Sequence, residues 1–180
     1  MGAARRRTSD ELSSAEVASL GDLFRAAWEG QSDGFTDEDW RHAVGGLHFL
    51  LEEGQTIVAH ASVVERELHT GGRRLATGYV EAVATRPNHQ RRGHGSALMR
   101  EVGEYIDETF ELGALDTGSS AFYERLGWVA WKGPTFVRTD SGLLRTADED
   151  GQVLVRLTPT SPELDLSAPI SCDWRPGDVW

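Results

Sequence analysis

The chain has 180 residues, with 29 Asp and Glu against 18 Lys and Arg, a formal net charge of −11 at pH 7, and 39% hydrophobic residues. That length supports one domain with a sizeable core, and the acidic excess argues against phosphate backbones or anionic lipid as main partners while suiting a cationic ligand or plain solubility. Cys172 is the one cysteine, so no intrachain disulfide is possible and a reducing cytoplasm is the expected compartment. No metal-ligand spacing occurs, and Arg5-Arg6-Arg7 are followed by no apolar stretch of the kind a secretory signal needs. No apolar run long enough for a membrane-spanning helix is present.

In chain order, residues 1–11 are expected to be mobile. Ser13 and Glu16 stand at capping-box spacing before a helical stripe of Val17, Leu20, Leu23, Phe24 and Ala27, which predicts a first helix to about Trp28. The 30–34 stretch breaks it, and Thr36 with Asp39 caps a second, shorter helix. Strands are predicted over 47–51 and 56–67, with a Gly71-Gly72 turn into 73–76 and a separate strand over 78–85. A long helix is predicted from about His94 to Thr109, then a strand over 112–115, a short helix over 119–126 and a strand over 128–131. Late strands are predicted at 144–145 and 153–157, with a loop from Pro159 to Pro169. Antiparallel strands first and a strand-helix-strand-helix-strand segment after predict a single mixed α+β domain over 1–180.

The densest chemistry lies between Tyr79 and Ser96. Gly93 and Gly95 directly precede a helix, so consecutive backbone N–H groups can turn toward one point at the positive end of the helix dipole. Arg91 and Arg92 add cationic charge that suits a pyrophosphate; the bland alternative is a solvated connection. The Walker Lys-Ser/Thr pair and the full three-glycine dinucleotide pattern are absent. Glu81 interrupts an apolar strand, where a half-buried carboxylate must either pair with an arginine or serve chemistry.

The run Gln90-Arg91-Arg92-Gly93-His94-Gly95 resembles the coenzyme motif of the GCN5-related N-acetyltransferases. Asp39-Trp40, Gly45-Gly46-Leu47-His48, Gly78-Tyr79-Val80-Glu81, Leu112-Gly113-Ala114-Leu115, Tyr123 with Gly127-Trp128, and the final Cys172–Trp180 block are similar to the aminoglycoside 2'-N-acetyltransferases in particular. The resemblance implies a mixed, mostly antiparallel sheet flanked by helices and splayed beside the coenzyme, with acetyl-CoA as cosubstrate and no metal. It implies that Val83 and Thr85 hold the pantetheine and that the Val83 N–H polarises the thioester carbonyl. Gln90 and Arg91 would also bind the coenzyme, and its diphosphate would lie on the N–H groups of Arg92, Gly93, His94, Gly95 and Ser96. Glu81 matches the group that takes the amine proton, through a water, and Tyr123 matches the general acid; read without the resemblance, Tyr123 could equally be a core aromatic beside Phe122. Asp33, Asp39, Glu81, Ala82, Asp116, Glu149, Asp178 and the terminal carboxylate of Trp180 would meet the acceptor, although Asp148-Glu149-Asp150 alone reads as a solvated turn. Cys172 is assigned to packing.

Departures fall in the acceptor region. Gly34 stands where the family has an aspartate, Asp116 replaces a small serine, and the 116–122 loop is short. These changes favour a kasugamycin-type aminoglycoside as the substrate of a resistance enzyme, with gentamicin- or tobramycin-like compounds next and another small amine as the remaining alternative. The resemblance also implies a homodimer; nucleic acid and membrane are not expected partners.

Overall fold

A computed structural model describes residues 2–30 and 34–180. It is an α+β chain that forms two compact units, one of residues up to Val64 together with Val80–Val102, the other of Glu65–Tyr79 and Gly103–Trp180.

In the first unit, β1 (Arg5–Thr8) pairs antiparallel with β2 (Leu47–Glu53), and β2 pairs antiparallel with the first part of β3 (Thr56–Thr70). The N-terminal strand lies within the segment expected to be mobile. Charge rather than apolar alternation holds it there: Arg5 contacts Glu16 at 2.6 Å and Glu52 at 2.8 Å, and the Ala4 N–H donates to the Glu101 carboxylate. The first helix, α1 (Ser14–Ala27), starts on the expected reciprocal box between Ser13 and Glu16, and α2 (Asp37–Ala43) on the one between Thr36 and Asp39. Leu20, Leu23 and Phe24 of α1 close over Leu50, Ile57 and Ala84, with Trp28, Phe35 and Trp40 packed around them. Burying such side chains contributes roughly 1.5–3 kcal/mol apiece.

The two segments predicted at 73–76 and 78–85 are one strand, β4 (Arg73–Thr85). Its first part belongs to the second unit, where Thr77, Gly78 and Tyr79 pair in parallel with the start of β5 (Leu112–Asp116). The junction between the two expected strands is thus itself paired. Pairing of β4 with β5 covers only these three residues, whereas β5 pairs along its whole length with β9 (Val153–Leu157).

Between β4 and β5 runs α3 (His94–Thr109), with the predicted bounds; it passes from one unit to the other at Val102. After β5 come α4 (Ser120–Glu124), β6 (Val129–Ala130), β7 (Thr135–Thr139) and β8 (Gly142–Arg145). The last strand, β10 (Ile170–Asp173), pairs parallel with β7 and antiparallel with β3. Strand order in the second unit is β6-β9-β5-β4-β3-β10-β7-β8, antiparallel apart from β4–β5 and β7–β10. Strands β7 and β10 were not predicted; their short Thr135–Thr139 and Ile170–Asp173 stretches carry arginine, aspartate and threonine among few apolar residues. A paired Arg156 and Asp107, at 2.6 and 2.8 Å, tie β9 to the second half of α3.

Candidate active site

Each unit carries one set of chemistry-bearing residues. In the first, β4 ends in a distortion: Ala82 has φ +51°, a left-handed backbone inside a strand that re-aims its neighbours. Glu81, Ala82, Val83 and Thr85 around it are half-buried. The Gln90–Gly93 turn follows, with positive φ at Arg91 (59°) and Gly93 (89°). A side chain at Gly93 would strain that backbone, so glycine is needed to swing the chain into α3. The helix starts at His94, and the first bond across its end runs from the Ala97 N–H to the Gly93 carbonyl at 2.9 Å. The N–H groups of His94, Gly95 and Ser96 therefore have no partner within the helix and gather at its positive end.

Arg91 and Arg92 are exposed beside these donors. Three consecutive helix-terminal N–H groups and two exposed guanidiniums fit a diphosphate, so this set could hold the coenzyme. Two of the expected coenzyme residues have structural duties as well. The Gln90 side chain donates to the Thr85 carbonyl at 3.1 Å and closes the turn onto the end of β4. The His94 ring is buried, with Nε2 3.0 Å from a Glu53 oxygen, and His89 lies 3.3 Å from the other oxygen of the same carboxylate.

Asp39 caps α2: its Oδ2 accepts from the Thr36 N–H at 2.7 Å and from the Thr36 hydroxyl at 2.8 Å. The cap borders a cavity of about 850 Å³ whose walls include Phe24, Trp28, Phe35 and Trp40, with Asp22 and Arg86 on its polar rim. Sequence reasoning did not find this aromatic cavity, since its walls come from two helices and the segment between them. Asp33 lies outside the described residues.

The first unit also holds a group the sequence reading left unused. Buried His48 and His60 sit on neighbouring strands, His48 Nδ1 3.0 Å from His60 Nε2, and His60 Nδ1 2.8 Å from the Ala82 carbonyl. Burial pulls the imidazoles down, to about 4 for His48 and about 3 for His60, where the neighbouring His48 adds to the effect. The available signal was a histidine inside each of two apolar strands, Leu47-His48-Phe49 and Ala59-His60-Ala61.

In the second unit, Tyr123 is buried, with its ring against Phe122 at 4.9 Å and Trp128 at 6.3 Å. Burial pushes its phenol up to about 12, so the hydroxyl keeps its proton across the neutral range. Asp116 is exposed at the end of β5, opposite Val153. Glu149 and Asp178 come together: partial burial first, then the charges of Asp178 and Asp148, hold the Glu149 carboxyl above its ordinary value.

The last residues are tied down by arginines. Arg66 donates to the carbonyls of Asp173 (3.1 Å) and Val179 (2.7 Å), and Arg175 to those of Asp178 (2.7 Å) and Trp180 (3.1 Å). Both guanidiniums lie over the Tyr79 ring, at 4.6 and 5.7 Å. Trp180 is buried and its indole N–H donates to the Thr146 hydroxyl at 3.0 Å. One oxygen of the Trp180 terminus thus accepts from Arg175. Cys172 is buried as expected, and burial pushes its thiol up.

The family described as acetyltransferase (GNAT) domain matches residues 9–130. The chain is 40% identical over 158 residues to an aminoglycoside 2'-N-acetyltransferase of Mycolicibacterium fortuitum, an alignment covering 86% of this chain and 80% of that one. Among solved structures, a GNAT family N-acetyltransferase (YhbS) of Escherichia coli in complex with CoA has a TM-score of 0.65 at 13% identity, over 94% of this chain and 89% of that one, and shares the fold. The GCN5-related N-acetyltransferase of Kribbella flavida aligns with a TM-score of 0.56 and 25% identity over 73% of this chain, which spans 34% of that protein's length.

Proposed function

Because the chain belongs to the GNAT acetyltransferase family and is an N-acetyltransferase, we propose that it acetylates the 2'-amine of an aminoglycoside, kasugamycin-type acceptors being favoured over gentamicin- and tobramycin-like ones. Acetyl-CoA supplies the activated acetyl group. The N–H groups of His94, Gly95 and Ser96, with Arg91 and Arg92, hold its diphosphate, and Val83 and Thr85 hold the arm that follows.

An ammonium has no lone pair, so Glu81 takes a proton from the acceptor amine, through a water. The amine nitrogen then bonds to the acetyl carbon while the carbon–sulfur bond breaks. The Val83 N–H donates to the carbonyl oxygen as it gains negative charge. The Tyr123 hydroxyl, protonated at working pH, gives its proton to the departing thiolate, and the phenolate left behind recovers one as the nitrogen sheds its second proton to become the amide. The acceptor's remaining ammonium groups are met by Glu149 and Asp178, with Asp116 and Asp39 in support. In this reading the enzyme is a cytoplasmic homodimer whose biological role is resistance.

The observation that carries the acceptor assignment is the Glu149–Asp178 pair. The Glu149 carboxyl is raised first by burial and then by the Asp178 charge, and a bound ammonium relieves both the lost solvation and that repulsion. Gly34 and Asp116, in place of the residues found in deoxystreptamine-modifying relatives, support the kasugamycin preference.

The test is thiol release from acetyl-CoA with purified protein and a panel of kasugamycin, tobramycin, an aminoglycoside lacking a 2'-amine, and simple polyamines. Release is expected only with the 2'-amines and fastest with kasugamycin. Equal turnover of the compound without that amine overturns the regiochemistry, and turnover of polyamines alone overturns the substrate class.

A further inference from the structure

Beneath the distorted end of β4 a chain of hydrogen bonds runs from a surface turn to the backbone of Ala82. The Gly45 N–H donates to Ser9 Oγ at 2.8 Å; Ser9 Oγ lies 2.8 Å from His48 Nε2; His48 Nδ1 lies 3.0 Å from His60 Nε2; and His60 Nδ1 lies 2.8 Å from the Ala82 carbonyl oxygen. Both rings are 0% exposed.

The direction of every link is forced. A carbonyl only accepts, so His60 carries its hydrogen on Nδ1. Burial keeps both rings neutral, so His60 Nε2 must accept, His48 Nδ1 must donate and His48 Nε2 must accept from the Ser9 hydroxyl. All donors thus point the same way, from Gly45 toward Ala82, and bonds aligned head to tail strengthen one another.

The chain explains the Gly45-Gly46-Leu47-His48 run. Gly45 takes φ +91° as it presents its N–H to Ser9, and a Cβ on Gly46 would lie 2.5 Å from the Val63 carbonyl oxygen. The run closes against β3 only with glycine there, and it delivers His48 to His60.

The peptide that receives the last bond joins Ala82 to Val83. It is trans and planar, so its C=O and N–H point in opposite directions. Drawing the Ala82 oxygen toward His60 therefore turns the Val83 N–H away from the histidines. Ala82 holds φ +51°, a conformation costly for a residue with a Cβ, and the His60 bond helps to keep it.

We propose that His60, supported by His48 and Ser9, is a positioning residue that fixes and polarises the Ala82–Val83 peptide so that the Val83 N–H is presented as the donor to the acetyl carbonyl. The proposal rests on the assignment of Val83 made above. It gives the two buried histidines a part in the reaction without contact with substrate: a hydrogen bond accepted at the C=O of a peptide makes the N–H of that peptide a better donor.

The main measurement reads the carbonyl itself and needs no acceptor; only the kinetic comparison does. Acetyl-CoA labelled with carbon-13 at the thioester carbonyl is bound to the protein, and its infrared stretch is compared with that in water. Wild type is expected to lower the frequency. His60→Phe, which fills the space but donates nothing, should lose more than half of that shift while CoA affinity, measured by calorimetry, changes less than about threefold; kcat should fall about tenfold or more with little change in the KM for acetyl-CoA. His60→Gln keeps one donor and one acceptor on a planar amide and should restore most of the shift. Ser9→Ala, at the half-buried start of the chain, should remove a smaller part of it and provides the test if His60→Phe does not fold.

An unchanged shift in folded His60→Phe, or in Ser9→Ala should the former fail to fold, overturns the relay while leaving the Val83 assignment intact. Absence of a shift in wild type that binds acetyl-CoA overturns the Val83 assignment and the proposal with it.

Discussion

The 82–96 stretch of the first unit and the C-terminal block of the second both deal with charge, and they build with opposite materials. In the first, the groups that face the coenzyme in our reading are backbone N–H donors at Val83 and at the start of α3, set by a left-handed Ala82, a glycine turn and buried neutral histidines. Arg91 and Arg92 stand exposed and enter no ion pair among the described residues. In the second, the arginines are consumed as scaffolding: Arg66, Arg138 and Arg175 bind carbonyls of the final strand and tail. Glu149 and Asp178 enter no ion pair among the described residues. In our reading a diphosphate of fixed geometry is met by fixed dipoles, whereas an acceptor of varied ammonium pattern is met by side-chain charges that can change without refolding the chain.

That contrast makes the first region sensitive to protonation of its supports. Burial keeps His48 and His60 neutral at pH values down to about 4 and about 3, while the unfolded chain protonates both below about 6.5. Unfolding therefore takes up protons in this window, and stability is lost as the pH falls. From pH 7.5 to 5 the two rings together account for a loss of about 4 kcal/mol, measurable by urea unfolding. The pH dependence of His60→Phe should be about half as steep in this window, and an identical slope would show that His60 does not titrate as described.

Next in size is Glu81→Gln, which should lower kcat about 100-fold with coenzyme affinity unchanged in calorimetry. A parallel loss of coenzyme binding would mean that Glu81 belongs to the fixed-dipole side of the comparison. Replacing Arg91 and Arg92 together by Ala should weaken CoA about tenfold, the scale of two solvent-exposed ion pairs, and the loss should shrink in high salt. The acceptor KM should stay put.

Local signals made much of this legible. The reciprocal boxes at Ser13/Glu16 and Thr36/Asp39 start the two predicted helices, and the Gly93 turn with the Leu98, Val102 and Ile106 spacing gives α3 its observed bounds. What escaped depends on partners distant in sequence. The strand at Arg5–Thr8 has three arginines and no apolar residue, and is held by Glu16, Glu52 and Glu101. The His48–His60 pair needs the β2–β3 register, in which His60 stands opposite Leu50 rather than His48, so the contact is diagonal. Gln90 carries the motif's glutamine, yet the bond it makes to Thr85 follows from the turn's geometry, not from the motif. The bond from Arg175 to a Trp180 oxygen likewise gave no sign in the sequence, since it depends on the chain folding back over five residues.

The smallest expected effect bears most directly on the second region. Asp178→Asn removes a like charge beside Glu149, so the Glu149 carboxyl should fall by the smaller part of its shift while burial holds the rest; Glu149→Gln removes the titrating group altogether. If the pair meets an ammonium, each substitution should raise the acceptor KM about fivefold, the scale of one partly exposed ion pair, and leave the coenzyme dissociation constant unchanged. In wild type that KM should rise as the pH falls through the raised carboxyl of Glu149, because the protonated form no longer attracts a cation. In Asp178→Asn the same limb should move to lower pH, and in Glu149→Gln it should disappear. A limb that persists in Glu149→Gln would assign the titration to another group and leave the Glu149–Asp178 pair a surface feature, since proton uptake at a removed carboxyl cannot shape a binding curve.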